Sequence, residues 1–176
     1  MFSDKYLLTK AVLEGRKTMT RRNVPDGTPL GNWEETEKMS RYNVGELVAV
    51  AQSYKDVGFD PACNVLCVGR YVSVWSTPGW SNKMFVHPDH MKHFIRITNV
   101  RVERLQDISD EDCLREGVIE DCPGVQYSFP TEIGYCGQYP FETPREAFAA
   151  LIDRLSGKGT WKSNPWVFVY EFELVK

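Results

Sequence analysis

The sequence predicts an α+β fold, a small mixed β-barrel with flanking helices, and three observations carry that expectation. The last apolar segment, 166–174, sets Trp166, Phe168, Tyr170 and Phe172 on one face and Val167 and Val169 on the other. A strand that is apolar on both faces is covered on both sides, as in a closed barrel with a helix packed outside. The middle segment 94–105 carries Ile95 and Ile97 in one phase and Val100 and Val102 in the other. The slip at Thr98-Asn99 predicts a β-bulge, the device that bends a barrel wall. Helix start and stop signals then flank the strand-rich middle at both ends of the chain.

Taken in order, Ser3 is placed to cap a first helix, in which Leu7, Leu8, Val12 and Leu13 recur at helical spacing and Gly15 closes the end. A basic stretch follows. Residues 23–44 are rich in Pro, Gly, Asn and charge and read as a surface loop from which Trp33 and Tyr42 fold back. A short strand is expected over 47–50, loop over 53–64, a strand over 65–75, and a turn at Thr77-Pro78-Gly79. After the bulged strand, Ser109 caps a second helix. Asp112 stands at its third position, Ile108 and Cys113 are spaced as a hydrophobic staple, and Gly117 ends it. Residues 118–142 show no clear period and read as a long excursion beside the site. Thr143-Pro144-Arg145-Glu146 is a capping box with proline at the first helical position. It opens a helix whose apolar face is Ala147, Phe148, Leu151, Ile152 and Leu155, closed by Gly157. A loop over 158–165 leads into the last strand. The reading is of one domain over 1–176, with surface excursions near 23–44 and 118–142.

Composition narrows the function classes. The formal charge of −3 excludes a general polyanion binder. Charge is uneven, however: residues 10–22 carry a net +4 and residues 103–121 a net −6. A nucleic-acid contact must therefore be local. Five cysteines, with no Cys-x-x-Cys pair and no signal peptide, read as reduced thiols in a cytoplasm. No apolar run is long enough to span a membrane.

The stretch Gly15-Arg16-Lys17-Thr18-Met19-Thr20-Arg21-Arg22 packs four cations and two hydroxyls into eight residues. In a turn, Lys17 and Thr20 fall on one side; in a strand, Thr20 and Arg22 share a face. An ammonium, a hydroxyl and a guanidinium aimed at one point suit a phosphate, a base carbonyl or an acyl carbonyl. The plain alternative is a solvated basic turn.

Gly15-x-Lys17-x-x-Thr20-x-Arg22 resembles the signature of the ASCH domain, a member of the PUA-like superfamily of small β-barrels linked to RNA. Three further stretches are similar to the phage-associated branch of that family: Gly45-Glu46-Leu47-Val48, the run 97–109, and the run 164–172. Together they span nearly the whole chain. The resemblance implies a mixed PUA-like barrel with a cleft lined by the basic motif, binding RNA or a modified nucleoside. It also implies a bacterial or phage-infected bacterial cell as the setting. Some small members of the family are amidohydrolases that remove the acetyl group of N4-acetylcytidine, and matching segments place their catalytic residues at Lys17, Thr20 and Glu116. The implied binding set is Gly15, Arg16, Lys17, Thr18, Thr20 and Arg22, with no cofactor and no metal. One departure stands out: phage-type relatives read Trp-Val-Arg-Glu where this chain has Ala49-Val50-Ala51-Gln52.

Read as chemistry, Lys17 is a base and Thr20 a nucleophile, provided burial and nearby cations bring the ammonium down from its reference pKa of about 10.4. Glu116 then passes a proton to the leaving amine; on its own sequence context it reads as a solvated residue of an acidic helix. Without chemistry, Lys17 and Arg22 stay charged and hold phosphate or a base edge. Trp161, in the loop before the last strand, is a candidate for stacking a base. His87, His90 and His93 are spaced by threes, but Pro88 interrupts a helix through them and no partner completes a metal set, so they read as surface loop. A third class, an interaction module without ligand chemistry, has no strong hydrophobic patch in its favour.

Overall fold

The computed structural model of the chain describes residues 2–58, 78–131, 134–135 and 141–175. The strand expected over 65–75 and the thiols of Cys63, Cys67 and Cys136 lie outside them. The described part is mixed α/β, built on a curled four-stranded antiparallel half-barrel whose neighbouring strands are, in order, Met19–Asn23, Trp166–Val175, Phe94–Arg104 and Leu47–Ala49. These strands are β1 (Met19–Asn23), β2 (Leu47–Ala49), β3 (Phe94–Arg104) and β8 (Trp166–Val175). No described helix is long and apolar enough to cross a membrane.

The long β3–β8 pair is the spine, running from Phe94 opposite Val175 to Arg104 opposite Trp166. Its register shifts between Ile97 and Asn99, where the apolar phase slips. The bulge returns Val100 and Val102 to the face of Ile95 and Ile97, so one side of a bent strand stays apolar. β8 is covered on both sides. Phe168, Tyr170 and Phe172 join Val12, Val50, Ile95 and Ile97 on one face. Val167 and Val169 join Leu105, Ile108, Cys113, Ala147 and Phe148 on the other.

Helices close the ends. α1 (Leu8–Leu13) has no side-chain cap: Leu7 takes positive φ at its start, and Ser3 serves through its carbonyl, which accepts from Leu8 N. The expected Ser3 cap is thus corrected, because the chain makes a turn over 4–7 before the helix begins. Gly15 adopts φ +74°, as a helix-closing residue should. The 23–44 loop contains a helix, α2 (Trp33–Lys38), capped by Asn32, and Trp33 and Tyr42 fold back onto Trp166 and Tyr170. Ser53 caps a single turn, α3 (Tyr54–Val57), where loop was expected. α4 (Asp110–Arg115) starts at Ser109, whose Oγ accepts from Asp112 N at 3.1 Å.

The 118–142 excursion forms hairpins, β4 (Ile119–Cys122) with β5 (Gln126–Ser128), then β6 (Pro130–Thr131) with β7 (Gly134–Tyr135). Mixed polar composition hides the strand period in such short pieces. α5 (Pro144–Ser156) is capped by Thr143 Oγ1, but Glu146 turns its carboxylate to Glu142 N, so the box is half made. Leu155 lies at the edge of its apolar face and is 39% exposed. The expected 158–165 loop holds a short turn of helix, α6 (Thr160–Ser163).

Candidate functional site

Alternation along β1 sorts the basic stretch. Met19 and Arg21 turn inward and are buried, while Thr20 is half-buried and Arg22 exposed on the opposite face. Lys17 precedes the strand and is buried too, its stem running beneath Gly117. Gly117 sits at φ +112°, and a Cβ there would stand 2.9 Å from Leu8 Cδ2, so the tight passage requires glycine. Gly117 also ends α4 and leaves Glu116 at the helix C-cap, pointing at Lys17.

The Lys17 ammonium donates to Glu116 Oε2 at 2.6 Å, to the Glu116 carbonyl at 2.6 Å and to the Met19 carbonyl at 2.7 Å. Both side chains are deeply buried, at 2% and 6% exposure. All three ammonium hydrogens are engaged by protein, which leaves none for a phosphate in this arrangement. Burial pulls the Lys17 pKa below its ordinary value; Glu116 opposes that pull, and Arg22 and Arg21 add to it.

Behind the pair lies an ion network that sequence reasoning missed. Arg21 Nη1 donates to Glu116 Oε1 at 3.1 Å, so each carboxylate oxygen of Glu116 holds one cation. Arg21 is fixed by Glu103 Oε1, at 2.6 Å from Nη2 and 3.1 Å from Nε, and by Asp112 at 3.1 Å. Arg101 and Arg115 bind Asp112 and Glu171 beyond it. The only available signal was the period-two pattern, which puts Arg21 on the same side as Met19; its carboxylate partners are about 80 or more residues away and no local spacing reveals them. Cys113 is buried beside the network, and burial pushes its thiol up to about 12, too high for a nucleophile at neutral pH.

Two cavities, each of about 410 Å³, are lined by Thr20 and Arg22 of β1. The first is lined by Lys17, Thr20, Arg21, Arg22 and Glu116 together with Phe2, Tyr6 and residues of α5. The second lies over the β-sheet and shares Phe2, Thr20 and Arg22 with the first. No family model matches the chain, and neither curated proteins nor solved structures show significant similarity to it.

The first cavity thus brings together Lys17, Thr20 and Glu116, with Arg22 beside them. The other sequence candidates are placed elsewhere. Gly15 only closes α1; Arg16 pairs with Glu14 at the surface at 2.6 Å; Thr18 accepts from Arg115 Nε at 3.2 Å. Trp161 packs edge-on against Phe148 in the core and lies under Arg145, so it lines neither cavity. Residues 118–142 also line neither, among the described residues. Their aromatic residues Phe129 and Phe141 pack into the Tyr6–Leu151 cluster instead. His87 pairs with Asp89 and His90 lies against Tyr54; no described group of three or more His, Cys, Asp or Glu is placed to hold a metal ion.

Proposed function

We propose that the chain is an RNA- or nucleotide-binding domain of the ASCH type, on a PUA-like barrel, and that its first cavity is an amidohydrolase centre for N4-acylated cytidine-like nucleosides. The observation that carries this reading is the buried Lys17–Glu116 pair, 2.6 Å apart, in the wall of a cavity that Thr20 also lines. A base, a proton store and a nucleophile converge there, with the cationic Arg22 at the same cavity.

The reaction runs in two balanced halves. Lys17 acts from its neutral form, which the burial that lowers its pKa favours. Thr20 Oγ attacks the acyl carbon and its proton goes to Lys17 Nζ. Arg22 supplies positive charge for the oxygen that becomes negative. The C–N bond breaks, the proton taken up by Lys17 passes through Glu116 to the departing amino group, and the acyl group remains as a threonine ester. Water repeats the sequence on the ester, releasing the carboxylic acid and restoring Thr20.

The test is release of acetate from N4-acetylcytidine by the purified protein. Thr20→Ala should abolish turnover with the fold intact, and Glu116→Gln should slow it by about 100-fold or more. Inactivity of the wild type across several N4-acylated cytosines would sink the hydrolase reading. A second reading, binding without chemistry, is favoured by the full engagement of the Lys17 ammonium, which makes it a structural cation. Under that reading binding of single-stranded RNA survives in Thr20→Ala and weakens in Arg22→Ala and with added salt.

A further inference from the structure

We propose that Lys83 is a positioning residue for the first cavity: by holding the Phe2 carbonyl, it seats the Phe2 ring as a cover against water over the Lys17–Glu116 pair. The proposal deepens the reading of that pair as a reactive centre and rests on it for its bearing on catalysis.

The placement starts at a short 3-10 turn, Lys83–Phe85. Met84 and Phe85 are exposed there, at 66% and 62%, while the charged side chain of Lys83 is only 11% exposed. Solvation favours the reverse arrangement, so the turn is oriented by what the ammonium binds. Lys83 Nζ donates to the Phe2 carbonyl at 2.6 Å, to Asp4 Oδ1 at 2.8 Å and to Thr9 Oγ1 at 3.0 Å. All of its hydrogens are thereby engaged. Thr9 Oγ1 donates in turn to the Phe2 carbonyl at 3.4 Å. Phe2 belongs to no helix or strand, so its backbone is held by these bonds, the shorter of them from a residue 81 positions away.

The chain after Phe2 is shaped to bring it back over the site. Leu7 N donates to the Asp4 carbonyl at 2.8 Å, and Leu7 takes φ +49°, a left-handed conformation uncommon outside glycine. The Phe2 ring centroid then lies 5.9 Å from Lys17 Nζ and 5.7 Å from the centroid of Phe172. Phe2 lines both cavities, the chamber at the Lys17–Glu116 pair and the second chamber over the sheet. A ring in that place displaces water while its π face still tolerates an ammonium. The charged groups around Lys17 are Glu116 at the end of α4 and Arg21 and Arg22 of β1, with Lys5 of the 2–7 segment and Arg154 of α5 in the same cavity wall. Burial outweighs each of those charges in its effect on Lys17, and it is the influence that a displaced Phe2 would relieve.

The experiment follows the Lys17 Cε resonance against pH by carbon-13 NMR in the intact chain, with Lys17→Met identifying the signal. Lys83→Met frees Phe2 and should raise the Lys17 titration midpoint by about one pH unit or more. Phe2→Ala should raise it by a similar amount, and Phe2→Leu, which keeps an apolar cover, should leave it near that of wild type. In the double variant of Lys83→Met with Phe2→Ala the midpoint should equal that of Phe2→Ala alone, because the lysine acts through the ring. Thr9→Val removes the hydroxyl that links the ammonium to the Phe2 carbonyl and should raise the midpoint by less; it replaces Lys83→Met if circular dichroism shows that variant unfolded. A midpoint unmoved by Phe2→Ala overturns the proposal, as does one unmoved by Lys83→Met, the result expected of a merely structural staple. Shifts that add in the double variant overturn it as well. The titration is read without substrate, so its failure and the failure of the hydrolase reading are seen separately.

Discussion

Arg21 and Arg22 are neighbours on one strand with the same side chain; both line the first cavity, but one is buried and the other exposed. Arg21 is 1% exposed and faces Glu103, Asp112 and Glu116. Arg22 is exposed and lines both cavities. On the network side, Lys17, Arg21, Arg101 and Arg115 meet Glu103, Asp112, Glu116 and Glu171, cations and carboxylates in equal number. In such a cluster each cationic head group is already matched by a carboxylate. The cavity side carries Arg22 and Arg41 without an acid in the second chamber's described lining. A strand therefore divides one basic motif into a buried, ion-paired half and an exposed half at the cavities, and Lys17 with Glu116 sits where the two adjoin.

Substitutions should separate the halves by size of effect. Arg21→Ala leaves three buried or half-buried carboxylates short of a cation and should cost about 3–5 kcal/mol in chemical denaturation. A loss below about 1 kcal/mol would mean that the network is not closed as described.

Lys17 gives a pH test. Burial sets its folded pKa below the unfolded value near 10.5. The unfolded state then binds more protons between those two values, so stability rises with pH through that window and is lost as pH falls through the folded pKa. The stability of wild type relative to Lys17→Met should therefore improve as pH rises toward 10.5; a flat difference would place the ammonium in a solvated setting.

At the acid end, the hydrogen bond from Arg115 holds Glu171 below its usual carboxylate range, against a smaller opposing effect of burial. Its contribution is present above the unfolded value near 4.5 and lost as pH falls through the folded one. Glu171→Gln should flatten that part of the acid-unfolding profile modestly, since the pair is partly exposed.

The smallest effect on stability belongs to Arg22→Ala, within about 0.5 kcal/mol. The same change should weaken RNA binding and lower its salt dependence. A stability loss as large as that of Arg21→Ala would erase the distinction between the two faces.

Much of the frame was legible in advance. The bulge at Thr98-Asn99 followed from a phase slip, the two-sided burial of β8 from unbroken apolarity, and the Ser109 and Thr143 caps from local hydrogen-bond chemistry. The failures were also physical. Trp161 looked like a stacking face in a loop, but Phe148 and Arg145 claim its ring. Glu116 looked solvated because its own helix is acidic, yet it is buried against Lys17, ninety-nine residues away in sequence.

By itself the sequence determined what depends on near neighbours: which segments alternate, where helices start and stop, and that Thr20 and Arg22 share a face if residues 19–23 form a strand. Only the tertiary structure decided which cations are buried in the ion network and which stand exposed at the cavities. Pairing a buried charge depends on carboxylates brought in by β3, α4 and β8, and that matching is set by strand register and helix docking, which no local spacing encodes. The same assembly decided that Ala49 and Ala51 bound an open chamber, because a small side chain makes a cavity only where its neighbours fail to fill the space.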